Sequence, residues 1–187
     1  MTLVVKTPPQ SVPVDTASMK DHLRVTHSND DTFIDSLISV AVDRVEQFTG
    51  RQLMPATWEL YLDAFPDDEE ILIRKAPVSA VSEIAYTDED GAEQVFGSDN
   101  YEVDLKNDPV RIRSLDGVDW PSTDDVYNAV KVTFTAGYAD ADSVPDALIS
   151  AIKLIVSRLY NTRMDSNMKN GYIKASENLM LPYKITR

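Results

Sequence analysis

Apolar and polar positions alternate between Val130 and Thr135. Val130, Val132 and Phe134 stand against Lys131, Thr133 and Thr135, the period of a half-buried strand. Ala136-Gly137-Tyr138 interrupts it, and the spacing then becomes helical: Leu148, Ile149, Ile152, Ile155, Val156, Leu159 and Tyr160 form one broad apolar stripe. Ser143 reads as the N-cap, with Pro145 and Asp146 suited to the first turn, so the spacing predicts a helix over 143–163. A stripe this wide needs a second helix against it. Ile34, Leu37, Ile38, Ala41, Val45 and Phe48 supply one, opened by Ser28-Asn29-Asp30-Asp31 with Ser28 as cap and stopped by Gly50. A polar change at Ile152 is expected to unfold this core.

The rest of the chain sorts around these stretches. Residues 1–14 read as an extended arm, because Pro8, Pro9 and Pro13 forbid a regular helix. A short helix capped by Asp15 or Thr16 runs through Met19 and Leu23. Trp58, Leu60 and Leu62 begin a series of short strands that continues at 71–73, 81–86, 94–96, 101–105 and 110–113, with Asp88-Glu89-Asp90-Gly91 as a hairpin turn. These predict a small antiparallel sheet or barrel, closed by the strand at 130–135. The fold class is therefore α+β. Residues 15–56 and 143–163 form a helical core, with N-terminal helices packed on a long C-terminal one. Residues 57–142 are an inserted β domain, and 164–187 a C-terminal arm. In that arm Leu179, Met180, Leu181 and Tyr183 follow a polar linker. They either fold back on the parent core or dock on a neighbouring subunit or another protein.

Charge sharpens this division. The 187 residues carry a net −13, but residues 57–142 hold 21 acids against 6 bases, while 143–187 hold 3 acids against 7 bases. An acidic body argues against non-specific affinity for nucleic acid, which needs Lys and Arg to neutralise phosphates. No apolar run is long enough to span a membrane, and no signal-peptide pattern opens the chain. The lack of Cys removes disulfides, thiolate metal sites and thiol nucleophiles, and makes a cytosolic origin the default.

Candidate chemistry is thin. Taking Gly91 as the sixth position of an EF-hand loop puts Tyr86 first and Gly97 twelfth, so both end ligands are missing and Asp88–Gly91 reads as a turn. Asp30 and Asp31 suit a helix's first turn. His22 and His27 lack the spacing of a helical metal pair, and no nucleophile elbow, P-loop or dinucleotide fingerprint is present. Lys6, Lys20, Arg24 and Arg44 are too dispersed for a nucleic-acid patch. The acids of 116–125 suit a divalent cation or, more commonly, plain solvation. No enzyme, cofactor or metal site is expected.

One ordered set of short motifs remains. Lys20-x-His22-Leu23-Arg24-Val25 is followed by Asp30-Asp31-x-x-Ile34 and Ala41-x-x-x-Val45-Glu46-x-x-Thr49-Gly50-Arg51. Trp58-x-Leu60-x-Leu62-x-x-Phe65-Pro66, Ala76-Pro77-Val78-x-x-Val81 and Tyr86-x-Asp88-x-Asp90-Gly91 come next. Ala136-Gly137-Tyr138, Val144-Pro145 and Arg158-Leu159-Tyr160 close the set. Across residues 15–163 this order resembles the head–tail connector (adaptor, or head-completion) proteins of tailed bacteriophages.

The resemblance implies a non-enzymatic virion protein at the head–tail interface, present in the host cytoplasm during assembly. It implies copies of the chain in a ring, expected as a dodecamer, between the portal protein and a tail-side connector or stopper. DNA would pass through the ring without specific binding, and no membrane is involved. Arg158, Tyr160, Leu179, Met180, Leu181 and Tyr183 are then candidate assembly residues. Asp116, Asp119, Asp124 and Asp125 are candidate channel-facing acids that repel DNA phosphates. Two other readings stay open: a monomeric acidic binding or assembly-accessory module that grips a basic partner, and a metal-dependent hydrolase using the acidic loops.

Overall fold

The alternation around Val132 places β-branched and aromatic side chains on one face of a strand, and that face is buried completely. A computed structural model of the chain describes residues 1–67, 70–162 and 171–185. In order, its elements are β1 (Thr2–Thr7), α1 (Thr16–Leu23), α2 (Asp31–Thr49), β2 (Ala56–Leu62), β3 (Glu70–Ile73), β4 (Val78–Thr87), β5 (Glu93–Phe96), β6 (Tyr101–Asp104), β7 (Val110–Ser114), β8 (Val130–Ala136), α3 (Asp146–Thr162) and α4 (Gly171–Met180). They divide into two units. The β unit holds Met1–Gln10 and Pro55–Gly137, and the helical unit holds Ser11–Met54 and the described residues from Tyr138 onward.

In the β unit one sheet runs β1-β2-β8-β4-β5 and a second runs β3-β7-β6, with every pair antiparallel. The registers align Leu3, Leu60, Val132, Ile84 and Phe96 in one row across all five strands of the larger sheet. Directly opposed residues share a face, so this row is continuous apolar surface. The smaller sheet answers with Ile71, Ile112 and Val103 in register. Both sets belong to one buried cluster, in which Val130, Val132, Phe134 and Ala136 of β8 are wholly inaccessible.

The strands are therefore two facing sheets rather than the single sheet or barrel expected. β3, β6 and β7 pair with one another instead, and their apolar residues join the cluster on the larger sheet's inner face. Residues 2–7 of the expected arm are a strand. Pro8 and Pro9 exclude a helix but leave Thr2–Thr7 free to pair with the edge of β2.

In the helical unit, α1, α2, α3 and α4 contribute to one apolar cluster that includes Met19, Ile34, Ile38, Val45, Leu148, Ile152, Val156 and Met180. Asp15 caps α1, accepting the Ser18 N–H at 2.6 Å. α2 begins at Asp31, with Asp30 rather than Ser28 in the cap position, and ends at Gly50, whose φ of 77° is the left-handed cap geometry glycine favours. α3 begins at Asp146, three residues later than expected. The Asp140 carboxylate accepts both the Ser143 N–H (2.8 Å) and its hydroxyl (2.6 Å), which holds Ala141–Ser143 in a separate 3-10 turn. Arg163, expected to end this helix, and 164–170 of the polar linker lie outside the described residues.

Phe134 is fully buried at the centre of the larger sheet. Phe134→Ala is expected to lower the unfolding free energy of the β unit by about 3–5 kcal/mol. Both tryptophans, Trp58 and Trp120, pack on the β-unit cluster. Tryptophan fluorescence during urea denaturation therefore reads this unit directly, and an unchanged midpoint would contradict the prediction.

Candidate functional site

The four candidate channel acids lie on one loop between β7 and β8. Residues 115–128 contain Asp116, Asp119, Asp124 and Asp125 and no base. Asp116, Asp119 and Asp125 are exposed and Asp124 is half-buried. The loop is held at several points. Trp120 stacks on Phe65 with centroids 4.8 Å apart and lies 5.1 Å from Phe96. The Leu115 N–H donates to the Asn100 carbonyl at 2.9 Å, the Asp124 N–H to the Thr87 carbonyl at 3.1 Å, and the Asn128 N–H to Asp63 Oδ1 at 2.9 Å. Gly117, at φ 81°, makes the turn after Asp116. The result is a pinned acidic loop tipped by Tyr127, which is 89% exposed. Among the described residues no group of three or more His, Cys, Asp or Glu is placed to hold a metal. Asp88, the tempting cation ligand, is occupied by its own turn, accepting from Asp90 N, Ala92 N and Gln94 Nε2.

The candidate assembly residues lie in the helical unit, on α3, α4 and the turn after α4. They are not equally available. Met180 is fully buried in the core of its own unit. Leu179 and Tyr183 are half-buried against the same cluster, and only Leu181, 54% accessible, projects outward. The chain end is tied to the end of α2: the Ile185 N–H donates to the Thr49 carbonyl at 2.8 Å, and Arg51 Nε donates to the Tyr183 carbonyl at 2.7 Å. The first bond satisfies one of the carbonyls that a helix end leaves open. The described part of the expected arm thus folds onto its own unit.

Arg158 is half-buried near the end of α3. Tyr160 is committed within the chain: its hydroxyl donates to Asp30 Oδ2 at 2.5 Å, and its ring lies 6.1 Å from Phe33. The Asp30 carboxylate therefore serves Tyr160 and makes no cap bond.

A third feature escaped the sequence reading. The outer face of the smaller sheet is a lattice of acid–arginine pairs around a shallow depression of about 660 Å³. Register sets Glu70, Arg113 and Glu102 in one row, and Leu72, Arg111 and Asp104 in the next. Arg111 reaches Asp104 at 2.9 Å and Glu70 at 3.6 Å, and Arg113 pairs with Glu102. The Asp104 carboxyl is pulled down to about 2, first by Arg111, then by Asn107 and the Lys106 N–H. The period-two spacing of Arg111 and Arg113 was a legible signal, and Glu102 and Asp104 share it on the preceding strand, but Glu70 comes from a strand distant in sequence.

The sequence model of the family described as phage gp6-like head-tail connector protein matches residues 15–108, and the chain belongs to that family. Among solved structures, a chain in the virion of a native gene transfer agent (GTA) particle superposes with a TM-score of 0.82 at 24% identity, covering 100% of this chain and 97% of that one. A chain from the neck of an empty GTA particle, computed with C6 symmetry, gives 0.80 at 23% identity with the same coverage. One from the neck of a native GTA particle, computed with C12 symmetry, gives 0.78 at 22% identity. These likenesses establish a shared fold. No curated protein matches the chain.

Two predictions follow from the geometry of these residues. Tyr160→Phe keeps the ring and removes the bond to Asp30. It is expected to cost about 1 kcal/mol, discounted for partial exposure, measured by urea denaturation followed by helical circular dichroism. An unaltered transition would mean the bond adds nothing. The second concerns pH. Asp104's folded pKa lies below its ordinary value, so its contribution is present above the ordinary aspartate range and lost as pH falls through about 2. NMR titration should place its midpoint near 2, and Arg111→Ala should move that midpoint up toward 3.8. A midpoint already at 3.8 in the unaltered chain would exclude the pairing.

Proposed function

We propose that the chain is a structural connector of the virion neck. Its copies form a ring between the portal and the tail-side proteins and extend the passage for DNA. The observation that carries this is the family match over residues 15–108, joined to a likeness of fold that spans nearly the whole of chains from GTA necks. The C12 symmetry of one such neck supports a twelve-copy ring. No step in this role requires bond chemistry. What it asks of the chain is a rigid fold, surfaces that meet other copies, and a lumen that does not hold DNA.

The pinned loop at 115–128 meets the last requirement. Four carboxylates and no base within one anchored segment present negative potential, and duplex DNA carries about one negative charge per 1.7 Å of its axis. Like charge keeps the duplex from adhering, and the effect is strongest within a Debye length, about 8 Å at physiological salt. For docking, Leu181 is the exposed apolar position among the terminal candidates.

Light scattering after size exclusion, run on the chain alone and with the cognate portal ring, tests the reading. A ring-sized species bearing about twelve copies is expected in at least the second case, and persistent monomers in both would defeat it. Virions carrying Asp116→Asn, Asp119→Asn, Asp124→Asn and Asp125→Asn together should assemble normally and release DNA more slowly. Normal release would remove the loop from the channel wall.

A further inference from the structure

The larger sheet ends in β1 on one side and β5 on the other, and each end strand keeps a row of backbone N–H and C=O groups unpaired within the sheet. Proteins usually blunt such edges, because an open edge is a template for another strand. The smaller sheet shows the usual device: its edge strands β3 and β6 carry Glu70, Glu102 and Asp104 on the outer face. On the larger sheet such devices are confined to part of each edge: β1 is bulged between Val5 and Thr7, where Lys6 sits, and β5 is only four residues long, while Thr2–Val5 keeps a regular register. Its two edge charges are paired across the sheet, Lys6 to Glu59 at 2.9 Å and Glu93 to Lys131 at 2.7 Å. That leaves Val4, 44% exposed, at one margin and Val95, 62% exposed, at the other.

The two valines match in geometry. Val4 lies opposite Glu59, and Glu59 opposite Thr133; Val95 lies opposite Ala85, and Ala85 opposite Lys131. Thr133 and Lys131 point to the same side of β8, so Val4 and Val95 share the sheet face turned away from Leu60, Val132 and Ile84. Four antiparallel steps separate β1 from β5, so the two strands run in the same direction. A second copy continuing the sheet therefore meets this edge as a parallel neighbour, with valine beside valine on one face.

We propose that β5 of one copy adds to β1 of the next, so that the larger sheets join edge to edge around the assembly. The two surfaces differ, which makes the contact heterologous, the type that generates rings when the rotation closes. This proposal rests on the ring reading above and names the interface that reading leaves open. It commits to a second copy as the occupant, because the chain itself offers both complementary edges.

The absence of native Cys permits a clean test. In a chain carrying Val4→Cys and Val95→Cys, the two thiols of one copy stand four strand spacings apart, about 19 Å, too far for a disulfide, whose Cα atoms lie about 4.4–6.8 Å apart. Oxidation of the portal-bound assembly should therefore give a covalent ladder reaching the full ring on a non-reducing denaturing gel, with neither single variant doing so. Thr2→Cys or Lys6→Cys, each combined with Val95→Cys, covers a shift of register by one repeat. Rings intact by light scattering but monomeric on the gel in all three combinations would overturn the proposal. Failure of the unsubstituted chain to form a ring would overturn the ring reading, and this interface with it. Val95→Lys, at an exposed site, should weaken assembly at least tenfold and leave the urea midpoint unchanged. Unchanged assembly would count against the edge.

Discussion

The fold depends first on the double pairing of β8. Its seven residues register against β2 on one side and β4 on the other, so each of its backbone groups is committed within the sheet. Its inward side chains Val130, Val132, Phe134 and Ala136 have no accessible surface. A slip of one residue would carry Lys131, Thr133 and Thr135 inward and all four apolar side chains outward. That penalty fixes the register of β2 and β4, and through them the places of β1 and β5. The same strand ends at Gly137, whose N–H donates to the Pro77 carbonyl at 2.8 Å, and Tyr138 donates to the Leu53 carbonyl at 3.2 Å as the helical unit resumes. One strand thus sets the order of the β unit and the point at which the chain leaves it.

The helical unit has a counterpart in the end of α2. Glu46 accepts from both the Leu53 N–H and Gln52 Nε2 at 2.8 Å, fixing the exit toward β2. The Thr49 carbonyl accepts from Ile185, and Ile185 lies 3.5 Å from where a side chain on Gly50 would stand. A stretch remote in sequence thereby completes a helix terminus, and Met180 reaches the core beside Ile152 and Val156. The described part of the terminal segment belongs to the domain's own packing, which leaves Leu181 as its exposed large apolar side chain among the described residues.

Legibility in the sequence followed the range of the interactions. Periodicity found α2, the body of α3 and the row of short strands, because each is encoded by neighbours two to four positions apart. Asp15 at the start of α1 and Gly50 after α2 were legible for the same reason. One failure is a local competition and the rest are distant pairings. Ser143 carries every local mark of an N-cap, yet the Asp140 carboxylate, three residues earlier, claims it. Asp30 carries the mark of a capping acid, yet its carboxylate faces Tyr160, 130 positions away. Thr2–Thr7 has a strand's composition, but only β2, reached across more than fifty residues, gives it a partner. The acids at 116–125 were visible as a run. That Trp120 pins them by stacking on Phe65 was not, since that contact depends on how the two sheets meet.

The distribution of charge unites the two surfaces assigned to the β unit. On the smaller sheet and on the face of the larger one, Arg111, Arg113, Lys6 and Lys131 offset much of the acidic charge. The segment 115–128, by contrast, holds four acids with no base. The channel role proposed for this loop calls for such an excess of acids. An edge built to accept another copy requires its absence, because like charges brought together at a strand junction oppose the pairing. Pairing Lys6 with Glu59 and Glu93 with Lys131, while leaving no base within the loop of Asp116, Asp119 and Asp125, suits both proposed roles within one unit. Neutralising the loop should therefore alter the passage of DNA without altering how copies join, and charging Val95 should do the reverse.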